Sequence, residues 1–124
     1  MKEAQMNKIV ITKDLSRLGD VIINYVSSVA LTLYHQKVFA IKVPNKLLSR
    51  ASRLASLELH IKMTSKKANS GDLAEALIAY AWLNSLMSTN EMINILIENL
   101  RKTGSIEEAI AFLLDAILKR IQKH

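Results

Sequence analysis

The sequence contains no cysteine. Disulfide bridges, zinc–thiolate sites and thiol nucleophiles are therefore excluded. It holds three glycines and one proline, too few and too scattered for a glycine-rich phosphate loop. It also lacks a Gly-x-Ser-x-Gly nucleophile elbow. Only six residues are aromatic, so a core must come from Ile, Leu, Val, Ala and Met. The longest uncharged run, Val21 to Gln36, is short for a bilayer span and is interrupted by Asn24, Ser27, Ser28 and Thr32. Residues 1–7 are polar and lack the apolar stretch and cleavage site of a secretory signal. These absences predict a soluble cytoplasmic protein.

What is present is helical punctuation. The chain has 124 residues, half of them apolar, enough for one domain with its own core. The expectation is an all-α compact bundle of about five helices over residues 1–124. Residues 1–12 are then a tail or extended lead-in, and a short extended segment precedes Pro44. Helix one runs from Asp14 or Ser16 to about Tyr34, with Leu15, Leu18, Ile22, Tyr25, Val26, Val29 and Leu33 at helical spacing. Gly19 weakens it or lets a neighbour approach closely. Lys8–Thr12 and Val38–Val43 read as two short β-branched runs able to pair. Helix two is capped by Asn45 and runs to about Ala68. Gly71 is placed to end it in a left-handed conformation, with Asp72 and Glu75 as the capping box of helix three. Helix three continues to Met87. Ser88 with Glu91 and Ser105 with Glu108 repeat the capping pattern for helices four and five, and Gly104 separates those two. Helix one or helix three should be central.

The charge of +6 is unevenly spread. Residues 1–67 carry twelve Lys/Arg against four Asp/Glu, and residues 68–124 carry five against seven. The basic half favours a phosphate-bearing or acidic partner. On a continuous helix two, Lys46, Arg50, Arg53 and His60 share one face, with Lys66 and Lys67 beyond. Such a stripe can lie along an RNA or DNA backbone without reading its bases. Trp82 and Leu86, one helical turn apart, make a candidate protein-contact patch.

Nothing in the spacing of His, Asp and Glu specifies a metal or other cofactor. Asp14 with Asp20, and Glu107 with Glu108, read as acids near helix starts. The leading expectation is therefore a small basic subunit of a nucleoprotein assembly, not an enzyme, with protein partners or further copies of itself. Its size and helicity are similar to those of small helical subunits of CRISPR effector complexes. The alternative is a helical adaptor or homo-oligomeric scaffold without nucleic acid. Arg53 and His60 enclose six residues, a spacing that resembles the Arg–His motif of the HEPN helical-bundle ribonucleases. That resemblance implies RNA cleavage by the two residues across a dimer. Leu54 stands where that family commonly has a polar residue.

Overall fold

The computed structural model describes residues 9–65 and 67–123. The elements are β1 (Ile9–Ile11), α1 (Asp14–His35), α2 (Asn45–Leu54), a 3-10 turn (Leu57–Leu59), β2 (Ile61–Met63), α3 (Ser70–Leu83), α4 (Thr89–Thr103) and α5 (Ile106–Gln122). Among the described residues five helices carry the fold, as the sequence predicts. Among the described residues no helix is long and apolar enough to cross a membrane.

The central helix is α3. Gly71, Ala74, Ala76, Leu77, Ile78, Ala79 and Ala81 are all buried. Its many alanines let neighbours pack close on several sides. An evenly apolar helix of this kind belongs in the middle of a bundle. Around it, α1 contributes Ile22, Ile23, Val26 and Ala30, and α4 contributes Met92, Leu96 and Leu100. From α5 come Ile110, Leu113, Leu114 and Ile117. One apolar cluster reaches from Ile11 in β1 to Leu118 in α5.

Helix two differs from the expectation. It stops at Leu54, and Ser56 takes a left-handed backbone with φ 54°. Leu57 and Ile61 are both buried, and their four-residue spacing mimics one helix face. The chain instead delivers them by a 3-10 turn and a strand. β2 pairs with β1 in parallel, Ile9 opposite Ile61 and Ile11 opposite Met63. Val38–Val43 is thus not the partner of β1. Residues 38–43 are extended but hydrogen-bond to side chains of α1.

The capping of α3 is also shifted. Asn69 is the cap: its Oδ1 accepts from Asp72 N at 2.9 Å, while Asp72 Oδ2 accepts from Asn69 N at 2.9 Å. Gly71 lies inside the helix. A Cβ there would overlap Asn45 Oδ1 at the start of α2, so this glycine permits close packing and does not end a helix. Gly104, with φ 70°, does end α4 in the left-handed conformation. The Ser88–Glu91 box is present in both directions. Ser105 Oγ accepts from Glu108 N at 3.2 Å, and its own N–H donates to Thr103 Oγ1. Arg120 locks α5 to the α3–α4 turn, donating to Leu86 O and pairing with Glu91, each at 2.7 Å. The ion pair holds the Glu91 carboxyl below its usual range.

Candidate active site at the crossing of two helices

At Gly19 the backbone of α1 comes into direct contact with that of α3. A Cβ there would collide with the backbone carbonyl of Glu75. A glycine inside a helix sacrifices about 1 kcal/mol of helix propensity relative to alanine. Here it lets two helix backbones touch. The next residue, Asp20, is thereby brought beside Glu75, and the two carboxyl groups line the same cavity within reach of each other's charge. The cavity, of about 300 Å³, is also lined by Ser16, Arg17, Lys42, Val43 and Asn45.

The electrostatics of this pair are unusual. Partial burial pushes the Glu75 carboxyl up to about 8 from 4.5, assisted by the neighbouring Asp20 carboxyl and by the charge of Asp72. Lys42 acts in the opposite direction. Two neighbouring carboxylates resist ionising together. Glu75 therefore keeps its proton near neutrality, in a place where a cation would be favourable.

A segment without regular secondary structure supplies Lys42. Residues 38–43 run antiparallel to α1 and are held by three of its polar side chains. Phe39 N donates to Thr32 Oγ1 at 2.8 Å, Ile41 N to Ser28 Oγ at 2.9 Å, and Val43 N to Asn24 Oδ1 at 2.7 Å. Four residues of helix rise about 6 Å and two residues of extended chain about 6.6 Å. Side chains at every fourth helix position can thus meet every second extended residue. The same Asn24 donates through Nδ2 to Asp20 Oδ1 at 3.2 Å. Lys42 then reaches Asp20, with Nζ 3.4 Å from Oδ2 and 3.5 Å from Oδ1.

The residues singled out from the sequence fall elsewhere. Lys46, Arg50 and Arg53 are exposed on α2, and Asn45 at its start lines the carboxylate cavity. Arg50 is tied to α5 through Glu107 at 2.7 Å. His60 is past the helix break, in the turn before β2. It therefore does not share a helix face with Arg53, and the Arg–His geometry implied by the HEPN resemblance does not form. Lys67 is exposed ahead of α3, and Lys66 lies outside the described residues. Trp82 is exposed, but α3 ends at Leu83, so Leu86 sits in the following turn and packs partly into the core.

Asp20 and Glu75 were both visible in the sequence as ordinary helix acids. The available signal was Gly19, an interior helix glycine directly before an acid. The sequence did not show which backbone lies against it.

The sign of the Glu75 shift gives a test by stability. Below about pH 4.5 folded and unfolded chains both carry the proton. As pH rises toward about 8 the unfolded chain releases it first, so the folded state loses advantage across that window. Because Glu75 is only half-buried, solvent screening reduces the effect to about 1–2 kcal/mol. Glu75→Gln should remove this part of the decline, as measured by urea unfolding at pH 5 and pH 9. An unchanged difference between the two pH values would mean that the Glu75 carboxyl is not raised in the folded chain.

The sequence model of the family described as Ribonuclease III matches residues 13–123. The match takes in both helices of the carboxylate crossing and the segment that carries Lys42. No curated protein matches the chain. The expectation of a protein that is not an enzyme is overturned by this match, because the family is named for an RNA-cleaving activity and the match runs almost the full length of the chain. The association with RNA or DNA expected from the basic half agrees with it in kind, and the family is named for RNA. The chain belongs to the Ribonuclease III family.

Proposed function

We propose that this chain is a phosphodiester-cleaving ribonuclease whose chemistry is centred on Asp20 and Glu75. One observation carries the reading: the glycine-mediated crossing presses two carboxyl groups together in a cleft, within a chain of this family. Nucleases commonly employ divalent cations, and Mg²⁺ is typically bound by one or two carboxylates with substrate phosphates completing its shell. The donors here fit such an ion. They are hard oxygens, there are two, and their mutual repulsion is relieved by positive charge. Among the described residues no cluster of three or more His, Cys, Asp or Glu is placed for a metal, so the reading rests on this pair. A bound divalent cation would supply Lewis acidity toward a phosphoryl oxygen.

The chain's own contribution is positional. Asn24 orients Asp20, Gly19 fixes its distance from Glu75, and the two acids would hold the cation. A backbone track for RNA is offered by α2, which leads away from the cavity with Lys46 and Arg53 exposed. Arg50 braces that track through Glu107. These contacts are sequence-independent in kind, since phosphates carry no base information.

The experiment uses the full chain and a hairpin RNA containing a duplex stem and a single-stranded loop. Millimolar Mg²⁺ or Mn²⁺ should produce discrete cleavage products, and excess EDTA should suppress them. Comparing stem with loop products identifies the strandedness attacked. Intact RNA in the presence of either cation would overturn the reading.

A further inference from the structure

Lys42 is built into the carboxylate site without being buried in it. Its backbone is fixed on both sides, by Ile41 against Ser28 and by Val43 against Asn24. Its ammonium group spans both oxygens of Asp20 at 3.4 and 3.5 Å. The Lys42 side chain is 75% exposed, against 36% for Asp20. The lysine is thus held by Asp20 and by little else, so it can swing into water while its backbone stays in place. Its positive charge also acts on Glu75, so one ammonium group serves both acids.

We propose that Lys42 is a displaceable resident cation: it neutralises Asp20 when no metal is bound and competes with a divalent ion for that carboxylate. The inference rests on Asp20 and Glu75 being a cation site and adds what regulates the occupancy of that site. An ammonium group and a hard divalent ion both seek the same carboxylate oxygens. Once displaced, the lysine stem is long enough to turn its charge toward a phosphate near the metal. Metal entry and substrate anchoring would then draw on one side chain in two positions.

The test reads Mn²⁺ binding directly, by the paramagnetic signal of the free ion at fixed pH and ionic strength without RNA. Lys42→Met should tighten Mn²⁺ binding about tenfold, the scale of about 1.4 kcal/mol. Lys42→Arg keeps the charge and should bind like wild type. Lys37→Met removes a charge from the same connecting segment, away from Asp20, and should change affinity by no more than about twofold. Asp20→Asn should lose the binding in either background. Equal affinity for wild type and Lys42→Met would overturn the inference, as would an equal shift from Lys37→Met. If Asp20→Asn loses Mn²⁺ while Lys42→Met is unchanged, the cation site stands and the role of Lys42 alone falls. If Asp20→Asn binds like wild type, or if neither wild type nor Lys42→Met binds, the cation site and the inference fall together.

Discussion

Asp20→Asn is expected to slow RNA cleavage by about 10²–10³-fold, the usual scale for removing one charge-stabilising group from an active site. The fold should be unaffected. Asparagine can keep the hydrogen-bonding contact with Asn24 through its side-chain oxygen. It gives up the exposed ion pair with Lys42, worth about 0–1 kcal/mol, and relieves repulsion with Glu75. The unfolding midpoint should therefore stay level or rise slightly while the rate collapses. Initial rates on the hairpin RNA, with unfolding curves on the same preparations, separate the two effects. Protein purified identically also controls for contaminating nucleases, because a contaminant would be indifferent to Asp20. A rate within a few-fold of wild type would remove Asp20 from the chemistry.

That expectation depends on a juxtaposition that one-dimensional reading does not contain. The capping signals of the second half were legible because they are local. Ser88 finds Glu91 N and Ser105 finds Glu108 N within one turn, and Gly104 needs no neighbour to be left-handed. The stripes of α4 and α5 were legible for the same reason, since a period of 3.6 is written in the order of residues. Helix two departs from its spacing where two different structures satisfy one pattern. Leu57 and Ile61 are buried four residues apart, as a helix would have them, but the break at Ser56 carries neither glycine nor proline to announce it. Once the helix is broken, His60 leaves the face of Arg53.

The acid site was hidden for a further reason. Asp20 and Glu75 are 55 positions apart, and each has a plausible local role. Glu75 in particular reads as the acid of a capping box, a role that Asp72 fills with Asn69. The polar residues of α1 were likewise visible only as interruptions of an apolar run. Asn24, Ser28 and Thr32 are the clamps of the extended segment, a role that exists only once the chain has turned back on itself. Long-range charge pairing is not periodic, so no pattern in the sequence states it.

Gly19→Ala tests the crossing itself and is expected to lower the unfolding free energy by about 2 kcal/mol, the upper end of an overpacking cost less the gain in helix propensity. The added methyl would overlap the Glu75 carbonyl and Cα, which are backbone atoms of a buried helix and not the end of a flexible side chain. Overpacking of this kind costs about 1–3 kcal/mol and occasionally more. A gain of about 1 kcal/mol in helix propensity offsets part of it. The strain is relieved only if α1 and α3 move apart, which also separates Asp20 from Glu75. Cleavage and Mn²⁺ affinity should therefore fall even in the fraction that remains folded. Gly104→Ala provides the contrast. Its Cβ meets nothing within 4 Å, and its difficulty is a φ of 70°. It should lose about 1 kcal/mol from backbone strain alone and retain its per-folded-molecule cleavage and metal binding. Urea unfolding of both variants, combined with Mn²⁺ titration at a concentration where each is folded, distinguishes the two mechanisms. Similar stability losses with equal metal affinity would mean that Gly19 is only one more helix glycine. A larger loss at Gly19 accompanied by weaker metal binding would mean that the contact which packs the bundle is the same one that assembles its carboxylate pair.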